Sequence, residues 1–179
     1  NEWPVDTPLR DDGVNVVGYL RNQLALGDAG RRIAGALRHT SIPTSTLAFG
    51  ASPSPPVDPP FVADDRVGHS TTLAVVAADQ MPVLADWHPE LIGASGRMIG
   101  YCFWETSTLS DAGRRGLDVV DEIWAPTRFV EECFRREERV PVHHVPLYIP
   151  EPQPSPRPRS SFAPLADAAG RLVIGVTFD

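Results

Sequence analysis

Four stretches of the chain carry residue types able to do chemistry. In "FWETS" the carboxylate of Glu105 and the hydroxyl of Thr106 follow an apolar run that ends in the indole of Trp104. A carboxylate placed there can accept a hydrogen bond from a sugar hydroxyl or orient an attacking one. The indole can pack on the apolar face of a sugar ring. The structural alternative pairs Glu105 with an arginine and buries Trp104. In "ADQMP", Asp79 and Gln80 follow a second apolar run; Asp79 either meets a ligand or caps the helix behind it. In "APTRF", Thr127 reads as a helix cap or a ligand contact, and Arg128 as a phosphate contact or a solvated arginine. The fourth stretch, "GYLRNQLALGDAGR", runs from a strand through Tyr19 to Gly27 and Asp28, where a helix is expected to open. Strand, glycine-containing loop and helix start form an arrangement that holds phosphate. Yet neither G-x-G-x-x-G nor a Gly-Lys-Ser/Thr loop is present.

These residues are useful only if the elements around them bring them together, and the hydrophobic pattern says how. Short strand-like runs fall at 13–20, which is β-rich, and at 43–49, 71–78, 97–104 and 122–126, with "VHHVPLYI" as a sixth. Between them lie helical patterns. Residues 28–39 put Ala29, Ile33, Ala36 and Leu37 on one face. "QMPVLADW" is a short helix, and 110–120 is a serine-capped helix weakened by two glycines. From Thr127 to about Arg139, a helix has Phe129, Val130, Cys133 and Phe134 as its apolar face. The proline-rich "GASPSPPVDPPFVADD" is a long loop. Strands alternating with helices predict an α/β fold: a Rossmann-like, doubly wound parallel sheet of about six strands with helices on both faces. Ligands of such sheets bind beyond the carboxyl ends of the strands, and all four stretches follow strands.

Composition narrows the partners. The chain has 179 residues, with 16 basic and 23 acidic side chains and a net charge of -7, so it has no overall field to attract nucleic acid. No apolar run approaches the roughly 20 residues of a membrane span. The first residues, "NEWPVDTPLRDDG", lack the pattern of a signal peptide. The expectation is a cytoplasmic protein, with a place at a membrane surface left open. Cys102 and Cys133 fit no metal spacing and read as buried thiols. His143 and His144, adjacent on a strand, point to opposite faces and cannot share a metal. No metal site is expected. His69, beside the long loop, is an acceptor-site candidate whose position nothing in the sequence fixes.

Four segments, "GVNVVGYLRNQLALGDAGRRIAGAL", "GYCFWETSTLS", "VDEIWAPTRFVEECF" and "VHHVPLYIPEP", resemble the amino-terminal half of GT-B glycosyltransferases of the glycogen-synthase-like group. The likeness covers about residues 13 to 150, with 50–70 unmatched. It implies one half of a GT-B fold. Residues 13–149 would be the acceptor-side domain, 150–170 a proline-rich interdomain linker, and 171–179 the first strand of a second Rossmann-like domain. The activity implied is transfer of a hexosyl group from a nucleotide-diphosphate sugar to a carbohydrate or other hydroxyl acceptor, with retention of configuration and without a resident cofactor or metal. Glu105 and Asp79 become the catalytic candidates. Tyr19, Gly27, Asp28, Gln80, Trp104, Thr106, Thr127 and Arg128 become substrate-binding candidates. Gly27 would let the backbone approach the donor diphosphate, while Asp28 would repel a phosphate placed over it and suits an acceptor hydroxyl better. On this reading the chain alone is inactive, and the apolar strand 171–179 can pair chains into a dimer. The alternatives are a small nucleotide-binding domain, which the missing fingerprint disfavours, and a non-catalytic binding or interaction module.

Overall fold

A computed structural model of the chain describes residues 10–50, 53–92, 96–149 and 151. The chain divides into two units, Asn1–Ile149 and Pro150–Asp179. The linker 150–170, the strand 171–179 and the dimer contact assigned to that strand lie outside the described residues, Glu151 excepted.

Six parallel strands form one sheet: β1 (Arg10–Gly18), β2 (Thr44–Ala48), β3 (His69–Val75), β4 (Arg97–Tyr101), β5 (Glu122–Ala125) and β6 (Val142–His144), in the order β2-β1-β3-β4-β5-β6. This is the expected doubly wound, Rossmann-like α/β fold. The strands are apolar at consecutive positions because both faces are covered. Val16, Leu73, Val75, Ile99 and Tyr101 point to one face, where Ala29 and Ala34 of α1 (Ala25–Leu37) pack. Val17, Ala74, Val76, Met98, Cys102 and Ile123 point to the other. There they meet α2 (Met81–Trp87), the segment after α3 (Asp111–Gly116), and α4 (Arg128–Arg135).

Several boundaries differ from the sequence pattern. Helix α1 opens at Ala25, three residues before Asp28, so Gly27 and Asp28 lie in its first turn and not in the loop. Arg31 explains the early start: its guanidinium donates to the carbonyls of Leu20 and Asn22 and folds the loop onto the helix. Helices α3 and α4 stop short of the expected ends. Phe129, assigned to the apolar face of α4, is 49% exposed; Val130, Cys133 and Phe134 alone bury that face. The proline-rich loop is strapped down. Gln23 and Val57 make backbone bonds across it to Pro55 and Arg21, and Asn22 donates to the Ser54 carbonyl. Further along, Asp64 and Asp65 accept from the backbone N–H groups of Thr46 and Ala48, which covers the outer edge of β2. Among the described residues no helix is long and apolar enough to cross a membrane.

Candidate functional site

The strand order reverses between β1 and β3. From β1 the chain crosses to β2 on one side; β3 and all later strands lie on the other. The connections therefore diverge and leave a crevice beyond the carboxyl ends of these two strands, where such sheets bind ligands. Gly18 and Val75 are register partners at that edge. The segments that leave them carry Tyr19 on one side and Asp79 on the other.

Asp79 lies in a single 3-10 turn, Ala78–Gln80, between β3 and α2. Neither that turn nor α2 has a side-chain cap, so Asp79 is not spent as one. Gln80 is the N-cap residue of α2, but its side chain makes no capping bond. Both side chains are half-buried. The Asp79 carboxylate forms no hydrogen bond or ion pair among the described residues, yet its field is felt nearby. The Tyr19 hydroxyl is pushed to higher pKa by burial and then by Asp79. Burial, with a smaller push from Asp79, holds the Cys102 thiol at about 12, so this cysteine stays neutral. The turn is fixed from behind by α3. A Cβ on Gly116 would overlap the Ala78 carbonyl oxygen, and one on Gly113 would meet the Trp104 ring. The two glycines that weaken α3 as a helix are what allow it to lie this close.

Glu105 follows β4, the strand next to β3. Its side chain is exposed and has no partner among the described residues, so the arginine pair considered for it does not form. Its loop is ordered by its neighbours. Trp104 Nε1 and Thr106 Oγ1 both donate to the Thr108 carbonyl at 2.9 Å, and Arg136 donates to that of Ser107. Trp104 is thereby held half-buried against α3 and the core, which leaves its ring no open stacking face toward Gly113. The Thr106 hydroxyl stays exposed.

The remaining candidates are placed differently. Gly27 is buried, and the space where a Cβ would stand is filled by the carbonyl oxygens of Tyr19 and Asn22. Its missing side chain thus serves loop-to-helix packing. Asp28 is paired with Arg32 at 2.6 Å, one helical turn on. Thr127 caps α4, accepting from the Val130 N–H at 3.2 Å. Arg128 is paired with Glu131 at 2.8 Å, and Glu131 also holds Arg135. The hydrogen bond from Arg128 is the first cause that keeps the Glu131 carboxyl below its ordinary range. His69 opens β3, so it lies at the amino edge of the sheet, across from the crevice. It is 5% exposed, its Nδ1 has no hydrogen-bond partner, and burial lowers its pKa.

Two residues absent from the sequence reading join the site. Phe49 follows β2, and its ring packs on Tyr19 at 5.3 Å between centroids. Trp87, the last residue of α2, packs on Phe49 at 5.7 Å and is 57% exposed. Gly50 lies beneath them with φ 66°; a Cβ there would stand 3.7 Å from Trp87 and 3.9 Å from Tyr19. The signal for Phe49 was its place at a strand's carboxyl end. Trp87 carried none, because a tryptophan ending an amphipathic helix is an ordinary core pattern.

The crevice therefore combines an aromatic row, a half-buried unpaired carboxylate and an exposed one on the next strand. The segments leaving β1, β3, β4 and β5 hold one arginine, Arg21, paired with Asp65, before the helix-opening Arg128 with its own partner. Among the described residues no three His, Cys, Asp or Glu side chains converge on a common metal position. No protein-family model matches the chain, and comparison with curated proteins and with solved structures returns no match.

Proposed function

We propose that residues 13–149 are the acceptor-side domain of a nucleotide-sugar-dependent glycosyltransferase of the GT-B type. The observation that carries this reading is Asp79: a carboxylate at the switch point, neither capping a helix nor paired, with the Tyr19 hydroxyl nearby. Among the described residues the other carboxylates that are not exposed, Asp28, Asp65, Glu122, Glu131 and Glu137, are each paired with an arginine; this one is left open where a ligand would lie. In the reaction the acceptor oxygen bonds to the anomeric carbon of the donor sugar. The bond from that carbon to the diphosphate breaks, and the nucleoside diphosphate leaves with the electron pair. Asp79 accepts the hydrogen bond, and finally the proton, of the attacking hydroxyl. Glu105, one strand further along the same edge, orients the acceptor. The donor diphosphate would be held by groups beyond the described residues, since Gly27 is packed by its own loop and Arg128 is engaged.

The test is a transfer assay on the complete gene product with uridine-, guanosine- and adenosine-diphosphate sugars. Nucleoside diphosphate should be released in an acceptor-dependent way. Asp79→Asn should slow turnover by about a hundred- to ten-thousand-fold, the span of a positioned acid–base group, and Glu105→Gln should slow it by about tenfold or more through the lost orientation of the acceptor, both with folding unchanged. Ligand binding without transfer under every donor would replace this reading with that of a binding module. Normal turnover in both variants would remove the two carboxylates from the mechanism.

A further inference from the structure

We infer that the exposed face of Trp87, with Phe49 and Tyr19 behind it and the turn that carries Asp79 at the other end of the same helix, is the seat of a pyranose ring, and so that the ligand taken by this half of the crevice is a neutral carbohydrate. It deepens the acceptor-side reading, on which it rests only for the word acceptor.

Three independent features point to a sugar. The first is the ring itself. Large apolar side chains are normally buried, and an indole left 57% exposed at a ligand-binding edge leaves a broad apolar surface in water. It is held rigidly: Phe49 packs edge-on at 5.7 Å, itself braced by Tyr19 at 5.3 Å. A fixed ring costs little entropy when a ligand settles on it. Its electron-rich face attracts the polarised C–H groups on the apolar face of a pyranose.

The second is the floor. Phe49 and Gly50 are the first two residues beyond β2, so Trp87 stands at the carboxyl edge although it ends a helix. The left-handed backbone of Gly50, φ 66°, keeps a side chain out of the angle between Trp87 and Tyr19. A residue with a Cβ would be strained by that backbone and would place its Cβ against both rings.

The third is charge. A stacked sugar needs acceptors for its hydroxyl groups; Tyr19 of the row brings a hydroxyl, and the Asp79 carboxylate, which has no partner among the described residues, lies close enough to act on that hydroxyl. An anion would need a cation. The arginine of the β1 segment, Arg21, is already held by Asp65, and Arg31 is bound to the carbonyls of Leu20 and Asn22. Apolar surface with a hydroxyl in the row and a carboxylate near that hydroxyl suits a polyol with one apolar face better than a phosphate or a lipid tail.

The experiment uses the 179-residue chain and the methyl pyranosides of glucose, galactose and mannose, each at millimolar concentration, followed by saturation-transfer NMR. Uridine diphosphate and glycerol phosphate serve as anionic comparisons. At least one pyranoside should receive saturation, strongest at the ring protons of one face. Trp87→Ala should reduce it at least fivefold, Trp87→Phe should retain most of it, and Asp79→Asn should weaken binding about tenfold. Thermal melting checks that each variant is folded. No transfer to any of the three sugars, equal transfer in Trp87→Ala, or preferential binding of glycerol phosphate at Trp87 would overturn the inference. Sugar binding at Trp87 without glycosyl transfer by the gene product would sink the enzymatic reading and leave this one standing; transfer to a non-carbohydrate acceptor would do the reverse.

Discussion

The two edges of the sheet use the same residue types to opposite ends. At the amino edge every carboxylate that opens a strand is engaged. Asp12 is held by Arg10, Asp11 by the Ser70 hydroxyl, and Asp121 by the Met98 N–H. Glu122 takes Arg97 and the Trp124 indole N–H. Just inside, Asn15 is fully buried with its amide saturated: it donates to the His69 carbonyl and the Thr72 hydroxyl, and accepts from the N–H groups of Gly68 and His69. At the carboxyl edge Asp79 and Glu105 have no such partners among the described residues. A buried polar group left unpaired is costly; Asn15 and Glu122 avoid that cost here, with His69 Nδ1 the exception, so the amino edge holds the fold. The carboxyl edge leaves its half-buried and exposed acids open, as a ligand-binding edge must.

The sharpest way to break this contrast is Asn15→Ala. It removes two donors' partners at once and opens a cavity beside His69, and should lower unfolding free energy by about 3 kcal/mol, read from urea midpoints. A loss under about 1 kcal/mol would mean that the amino edge is not the structural one.

A smaller effect should follow pH. Burial lowers the His69 pKa; Asp12 opposes that shift, while Arg10 and Arg66 add to it. The folded protein therefore binds the His69 proton less readily than the unfolded chain does. Stability from this group is full above about pH 6.5, the unfolded value, and is lost as pH falls through 6.5 toward the lowered folded one. Urea midpoints should decline over that window, and His69→Gln should flatten the decline. An unchanged slope in the variant would assign the titration elsewhere.

The smallest effect on stability is expected at the crevice. Asp79→Asn and Glu105→Gln remove charges that pair with nothing described, so each should change unfolding free energy by no more than about 0.5 kcal/mol. A loss of 2 kcal/mol in either would reveal a structural partner and make the edges alike.

Much of this architecture was legible in the sequence, because it is set by interactions between near neighbours. Short apolar runs between turn signals marked all six strands. Ser110 and Thr127 announced two helices, and their hydroxyls do accept from N–H groups three residues on. Placing Asp79 and Glu105 after strands was enough to send both to the carboxyl edge once the sheet was parallel. What stayed hidden depends on groups that meet across the chain. No local pattern tells that Gly27 is filled by the carbonyls of Tyr19 and Asn22, that Arg31 draws α1 open early, or that Gly116 is required by the carbonyl of Ala78. Nor does one tell that Trp87 stands beside Phe49, 38 positions away in the chain, with one face in water. The periodicity of a segment fixes which of its faces is apolar. Which side chains that face will meet, and which acids will be left without a partner, is decided only when the strands take their places in the sheet.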